Sequence, residues 1–178
     1  MPGSEKSKQL LTDALKACGA VRFGDFTLAS GKKSTYYIDI KKASTDPATL
    51  RIIAQEATKI ITGMQVDAVG GVVLGSVPLA TAVSLESGLP LLLIRKDDKS
   101  YGTGGRFVGE LRAGSKVLLL EDVTTSGGSV KDAIEAIRAQ SGEVQHVVTV
   151  VDRESGATEN LASIGVKLIP LVRASDLV

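Results

Sequence analysis

The chain has 178 residues, 43% hydrophobic and 23% charged, with a formal net charge of +1. One globular domain is expected, with a core of aliphatic residues because aromatics make up only 3%. The near-zero charge argues against a nucleic-acid or membrane-surface binder. The single cysteine, Cys18, excludes an internal disulfide and a cysteine metal cluster. No signal peptide or membrane-spanning apolar run is recognisable, so we expect a cytoplasmic protein.

The N-terminal part predicts a helix over residues 4–20 and then an antiparallel hairpin over residues 21–42, with a polar turn between its strands. Four of the six aromatic residues lie in this hairpin: Phe23, Phe26, Tyr36 and Tyr37. Their concentration fits either a lid over a planar ligand or a small satellite core.

The remaining chain alternates predicted strands and helices. Strands are expected at 66–74, 90–94, 117–120, 144–151 and 166–171, and helices at 47–62, 79–86, from 130 onward and at 158–163. This order predicts an α/β fold with a central parallel sheet flanked by helices. We expect one domain over residues 1–178, with a hood at roughly 1–45 and a core at 46–178. Ligands of such sheets bind at the carboxyl ends of the strands.

The segment 116–129 carries the strongest chemical signal. Four apolar residues are followed by Glu121 and Asp122, then by a turn rich in hydroxyls and glycines, and then by a helical period. Backbone N–H groups at such a turn and helix N-terminus suit a phosphate. The two acids would repel a phosphate, but they suit ribose hydroxyls, a hydrated Mg²⁺ or a developing positive charge. The alternative is an ordinary strand-to-helix loop with a Ser or Thr cap.

This segment closely resembles the phosphoribosyl-diphosphate signature of the type I phosphoribosyltransferase family. The resemblance implies that Glu121 and Asp122 face the ribose hydroxyls. It implies that the sugar 5′-phosphate is bound by the loop that follows, with substrate contacts from Val123, Thr124, Thr125, Ser126, Gly127, Gly128 and Ser129. The glycine-containing stretch 70–78 is similar to the loop that contacts the pyrophosphate in this family.

Three further segments resemble the orotate phosphoribosyltransferases within this family. Residues 95–106 form a predicted polar loop with four cations, similar to their mobile catalytic loop. Residues 26–37 are similar to their hood, and residues 151–153 to the strand end that carries an orotate-binding arginine. The resemblance implies diphosphate binding by Arg95, Lys96 and Lys99, with Lys99 and Asp122 as catalytic residues. It implies orotate binding by Thr125, Arg153, Tyr36 and Tyr37.

Three positions depart from the pattern of the bacterial members. Ala29 and Tyr101 stand where a Lys and a His are common, and residues 74–77 contain no Lys. The cationic role therefore falls more heavily on residues 95–99. The single histidine, His146, lies in a predicted strand and is interpreted as structural.

The resemblance implies transfer of the phosphoribosyl group of phosphoribosyl diphosphate to orotate, a step of pyrimidine biosynthesis that yields orotidine 5′-monophosphate and diphosphate. Mg²⁺ is the implied cofactor, held mainly by substrate and water rather than by a protein metal site. A homodimer that shares the loop 95–106 across its interface is implied, with no nucleic-acid or membrane partner.

Two other functions remain open from the sequence. A type I phosphoribosyltransferase for a purine or uracil would share the signature but would not need an arginine for a carboxylate. A regulator that senses phosphoribosyl diphosphate would need a DNA-binding module and a basic surface.

Overall fold

The computed structural model describes residues 5–27, 33–99 and 105–178, and for Asp98 and Lys99 it describes the backbone only. In chain order the elements are α1 (Glu5–Ala17), β1 (Val21–Thr27), β2 (Lys33–Ile38), α2 (Ile40–Thr45), α3 (Pro47–Ile61), β3 (Ala68–Val72), α4 (Val77–Ser87), β4 (Leu91–Lys99), β5 (Gly105–Val108), β6 (Val117–Thr124), α5 (Gly128–Ala139), β7 (His146–Asp152), α6 (Ala157–Ala162), β8 (Lys167–Arg173) and α7 (Ala174–Leu177). None of the helices in these ranges is long and apolar enough to cross a bilayer.

A six-stranded sheet with the strand order β5-β4-β3-β6-β7-β8 forms the centre of the molecule. All neighbouring strands are parallel except the edge strand β5, which runs antiparallel to β4. The predicted α/β fold is confirmed. Because β3, β6 and β7 are parallel neighbours, the loops that follow them meet at one edge of the sheet.

The apolar run of β6 fills both hydrophobic layers of the core. Leu118 and Leu120 belong to the layer that contains α1, α3 and α4, whereas Val117 and Leu119 belong to the layer that contains α5 and α6. Each of these side chains is nearly fully buried. Successive strand residues point to opposite faces, so a strand covered on both faces needs an unbroken apolar run.

The hood is the antiparallel pair β1–β2, as predicted. Val21 and Ile38, at the base of the hairpin, are buried in the same layer as Leu118 and fasten the hood to the core. The predicted polar turn, residues 28–32, lies outside the described residues.

Most predicted elements are present, with different bounds. Helix α3 begins at Pro47 as predicted, because the Asp46 carboxylate accepts hydrogen bonds from the Thr49 N–H at 2.8 Å and from its hydroxyl at 2.6 Å. The first helix is shorter than expected and ends at Ala17. The short helices α2 and α7 were not predicted; their few residues carry no full helical period.

Two strands extend beyond their predicted ends into polar sequence. Strand β4 continues to Lys99 and pairs with β5, so residues 95–99 and 105–106 of the predicted loop are strand residues. Strand β6 continues to Thr124, so Glu121 and Asp122 lie within the strand rather than after it. Neighbouring strands supply backbone partners for these polar residues, which local hydrophobicity could not indicate.

We expect Gly71→Ala to lower the free energy of unfolding by about 1–3 kcal/mol, because an added methyl group overpacks the contact between β3 and α4. A Cβ at Gly71 would lie 2.8 Å from the Ala80 Cβ and 2.9 Å from the Ser76 carbonyl oxygen. Urea denaturation measures the change. Gly63→Ala is the control, since nothing lies within 4 Å of a Cβ there. Equal stability of the two variants would contradict the packing argument.

Candidate active site

The candidate site lies at the carboxyl ends of β3, β6 and β7. The turn 73–76 follows β3, the turn 125–127 follows β6, and Arg153 follows β7. Three segments that the sequence singled out separately are therefore neighbours across the sheet.

Glu121 is a buried carboxyl group, with 8% of its surface exposed. The Ser76 hydroxyl donates a hydrogen bond to its Oε1 at 3.1 Å, and its Oε2 is buried without a partner among the described atoms. Burial raises the pKa of Glu121 to about 8, and the neighbouring Asp122 carboxylate adds to the rise, whereas the Ser76 hydrogen bond opposes it. The site therefore holds a buried carboxyl oxygen that has no hydrogen-bond partner of its own among the described atoms.

Asp122 is half-buried and contacts the turn after β3. Its Oδ1 accepts a hydrogen bond from the Val123 N–H at 2.7 Å. A Cβ at Gly75 would lie 2.9 Å from the Asp122 Oδ2, so a glycine is needed there for this close approach. The two acids and the turn 73–76 thus form one continuous surface.

The turn after β6 leads directly into α5 and exposes Thr125 and Ser126. Gly127 occupies the N-cap of α5 with φ +80° and has no side chain that could bond the first N–H groups of the helix. The alternative of a Ser or Thr cap is therefore wrong. The Asn160 side chain holds the turn by donating a hydrogen bond to the Ser126 carbonyl at 2.9 Å. The arrangement suits an anion, which the helix N-terminus stabilises.

Arg153 joins this turn to the hood. Its backbone N–H donates a hydrogen bond to the Thr124 carbonyl at 2.9 Å. Its guanidinium carbon lies 6.0 Å from the centre of the Tyr36 ring. Tyr37 follows on the opposite face of β2, where its ring lies 5.6 Å from that of Phe26. The structure brings Tyr36 to Arg153, while Tyr37 packs with another hood aromatic.

The predicted cationic residues have different surroundings. Lys96 lines a cavity of about 330 Å³ that also reaches Ser129 at the start of α5. Arg95 donates a hydrogen bond to the Gly105 carbonyl at 3.2 Å, across the β4–β5 hairpin. The side chain of Lys99 and all of Tyr101 lie outside the described residues. A larger cavity, of about 760 Å³, lies between α1, α3 and β8 and contains none of the predicted site residues.

Sequence reasoning assigned no role to Ser76, Asp152 or Asn160, which contact the predicted site residues. Ser76 and Asp152 lie in segments that the sequence had singled out, 70–78 and 151–153, and this position was the only available signal. Asn160 lies 34 residues beyond its partner Ser126, and nothing local connects the two.

Comparison with known proteins agrees with this geometry. Residues 12–169 match the family described as "Phosphoribosyl transferase domain". A Methanosarcina mazei protein named orotate phosphoribosyltransferase is 65% identical over 173 residues, which are 97% of this chain and 92% of that protein. The chain belongs to the orotate phosphoribosyltransferase family. The family resemblance predicted from the sequence motifs is thereby confirmed.

Solved structures of this family share the fold. The orotate phosphoribosyltransferase of Aeropyrum pernix is 32% identical and superposes with a TM-score of 0.82, covering 94% of this chain and 95% of its own. The Mycobacterium tuberculosis member, solved in complex with 5-phospho-alpha-D-ribosyl 1-diphosphate, is 29% identical with a TM-score of 0.81, covering 96% of this chain and 98% of its own.

The raised pKa of Glu121 predicts a pH-dependent stability. The folded protein holds a proton on this group that the unfolded chain releases near pH 4.5, so the stability contribution is present below pH 4.5 and is lost as the pH rises to about 8. Relative to Glu121→Gln, the wild type should lose at least about 1 kcal/mol between pH 5 and pH 8, since one pKa unit corresponds to about 1.4 kcal/mol. Urea denaturation at both pH values measures this. A difference between the two proteins that is independent of pH would contradict the assignment.

Proposed function

We propose that this protein transfers the phosphoribosyl group of phosphoribosyl diphosphate to orotate and releases diphosphate. The single observation that carries the proposal is the position of Arg153, between the Tyr36 ring and the turn after β6. An arginine beside an aromatic ring suits a planar carboxylate such as orotate, because the guanidinium can bind a carboxylate through two parallel hydrogen bonds. Membership of the orotate phosphoribosyltransferase family supports the same choice.

We assign the sugar phosphate to the strand end and turn of β6. Glu121 and Asp122 accept hydrogen bonds from the ribose hydroxyls, which would satisfy the orphaned Oε2 of Glu121. The 5′-phosphate binds the N–H groups and hydroxyls of the turn and the first residues of α5. This part of the site comprises Val123, Thr124, Thr125, Ser126, Gly127, Gly128 and Ser129.

Orotate lies between the hood and Arg153 in this proposal. Arg153 binds the carboxylate, the Tyr36 ring stacks near the pyrimidine, and the exposed Thr125 contacts its polar edge. Tyr37 acts at greater distance, through the ring contact that orders the hood. The negative charge of orotate lies on its carboxylate, so the ring nitrogen that attacks C1 still has to release its own proton.

Displacement at C1 of the ribose passes through an oxocarbenium-like state. The bond from C1 to the diphosphate oxygen breaks as the bond to the pyrimidine nitrogen forms, and the proton on that nitrogen passes to the leaving diphosphate or to water. Arg95, Lys96 and Lys99 stabilise the charge that develops on the leaving diphosphate, while the Asp122 carboxylate tolerates positive charge on the sugar. Orientation of the two substrates contributes the rest of the acceleration.

Mg²⁺ fits this site as an ion carried by the substrate. Among the described residues no group of three or more His, Cys, Asp or Glu side chains could hold a metal. Mg²⁺ keeps several waters and binds through few carboxylates together with phosphate oxygens, so the half-exposed Asp122 suits contact through water. When bound, the ion supplies charge neutralisation at the diphosphate.

A homodimer is part of the proposal, with the loop 95–106 shared between the subunits. Exposed apolar side chains at Leu74, in the turn after β3, and at Leu85, near the end of α4, are the kind of surface that a protein partner covers. The cytoplasmic location and the absence of a nucleic-acid partner stay predictions from the sequence.

Diphosphate release in the presence of phosphoribosyl diphosphate and Mg²⁺ tests the proposed function. We expect turnover with orotate and none with uracil or hypoxanthine, because a neutral base has no carboxylate for Arg153. Turnover with a neutral base instead of orotate would favour a different phosphoribosyltransferase. Binding of DNA in the absence of any turnover would favour a regulator.

Arg153→Ala should raise the KM for orotate at least about tenfold, because the half-buried guanidinium that pairs with the orotate carboxylate is lost. The KM for phosphoribosyl diphosphate should change much less. Arg153→Lys should recover only part of the loss, since it keeps the charge without the planar pair of donors. Arg51→Ala, an exposed arginine on α3, is the control. Equal increases in both KM values would contradict the assignment of the orotate carboxylate to Arg153.

Lys99→Ala should lower kcat about a hundredfold or more, since it removes a cation aimed at charge that develops in the transition state. The fold should be intact, as measured by the unfolding midpoint. Lys16→Ala, at an exposed position on α1, should retain full activity.

Mixing the Lys99→Ala and Arg153→Ala proteins tests the shared loop. At an orotate concentration well below the wild-type KM, where Arg153→Ala sites contribute little, a mixed dimer has one complete site if each subunit supplies Lys99 to its partner, and about one quarter of wild-type activity returns in a random mixture of two-fold dimers. If Lys99 serves its own subunit, both sites of the mixed dimer are defective and no activity returns.

A further inference from the structure

Asp152 is a buried carboxylate beneath the candidate site, with 4% of its surface exposed. It is the last residue of β7 and has no role in the mechanism proposed above. Its Oδ1 accepts a hydrogen bond from the Glu154 N–H at 3.0 Å and a longer one from the Thr124 hydroxyl at 3.4 Å. A buried carboxylate is costly unless its acceptors are used, so these contacts matter for its placement.

Hydrogen bonds hold the backbone at Arg153 and at the residue that follows it, and Asp152 accepts the second of them. The Arg153 backbone N–H donates a hydrogen bond to the Thr124 carbonyl at 2.9 Å. The next residue, Glu154, has φ +54°, a left-handed conformation that non-glycine residues seldom adopt. The Asp152 carboxylate bonds the N–H of this residue, and the Glu154 carboxylate accepts a hydrogen bond from the Ser175 N–H at 3.0 Å.

We propose that Asp152 is a positioning residue that holds the backbone around Arg153, so that the guanidinium points toward Tyr36, and that it ties this segment to Thr124. The inference rests on the proposed function, in which Arg153 binds orotate. The bond to the Glu154 N–H is the shorter one, whereas the bond to the Thr124 hydroxyl is long and therefore weaker. The effect on orotate should therefore exceed the effect on phosphoribosyl diphosphate.

A purely structural role for Asp152 would have a different kinetic signature. Loss of folded protein lowers the concentration of active enzyme, so the apparent kcat falls and both KM values stay unchanged. Misplacement of Arg153 weakens a contact that is made already in the ground state, so the KM for orotate rises while kcat is retained.

Steady-state kinetics of Asp152→Ala and Asp152→Asn test the proposal. Asp152→Ala should raise the KM for orotate about tenfold, as expected from the loss of a hydrogen bond to a charged acceptor, and the KM for phosphoribosyl diphosphate by about threefold or less. Asp152→Asn keeps an acceptor oxygen without the charge, so its KM for orotate should rise by only about threefold.

Thr124→Val isolates the link to the turn after β6. It removes a hydroxyl that the proposed function also places beside the sugar phosphate and leaves the bond between Asp152 and Glu154, so the KM for phosphoribosyl diphosphate should rise while the KM for orotate stays within about twofold of wild type. Asp67→Ala is the matched control for loss of a carboxylate. The Asp67 Oδ2 accepts a hydrogen bond from the Lys116 N–H at 2.8 Å, near the amino ends of the strands, so its removal should leave both KM values unchanged.

The outcomes are distinguishable from those that test the proposed function. Absence of orotate turnover in the wild type would overturn both, because the inference depends on that reaction. Orotate turnover in the wild type together with an unchanged KM for orotate in Asp152→Asn would overturn the inference alone. A fall in kcat with unchanged KM values would do the same, and Asp152→Asn decides the matter if Asp152→Ala does not fold.

Discussion

Burial of β6 on both faces is the constraint on which the rest of the structure depends. Its apolar side chains alternate between two hydrophobic layers, and each fully buried leucine contributes about 1.5–3 kcal/mol relative to exposure. A strand in this position needs cover on both faces, which helices supply here, and its two neighbours β3 and β7 run parallel to it. The polar residues that continue β6 are therefore delivered to the edge of the sheet where β3 and β7 also end.

The electrostatics of the site follow from the position of these polar residues at the edge of the sheet. Glu121 stays within the strand, where burial raises its pKa, and a single hydroxyl from Ser76 offsets only part of that cost. One residue further on, Asp122 reaches the surface beside Gly75. A few residues beyond, the N-terminus of α5 opens toward solvent with a glycine at its cap. The two carboxyl groups and the N-terminus of α5 thus lie next to each other at one edge of the sheet.

Strand pairing also positions Arg153 and the hood relative to the end of β6. Arg153 is held against Thr124 because β6 and β7 are hydrogen-bonded neighbours up to the pair Thr124–Asp152. Tyr36 reaches Arg153 because the base of the hood is buried in the core through Val21 and Ile38. The ring of Tyr37 points to the other face of β2 because successive side chains of a strand point to opposite faces.

The amino-acid sequence by itself determined the α/β order, the apolar stripe of α5, the start of α3 at Pro47 and the hydroxyl- and glycine-rich turn between β6 and α5. These features depend on local patterns of hydrophobicity, capping and turn chemistry, which a short window contains. Only the tertiary structure decided that residues 95–99 continue β4, that Ser76 contacts Glu121 across 45 positions and that Asp152 lies beneath Thr124. Polar residues at a strand end take their conformation and their protonation from neighbours distant in sequence, because hydrogen-bond partners and desolvation exist only once the sheet has assembled.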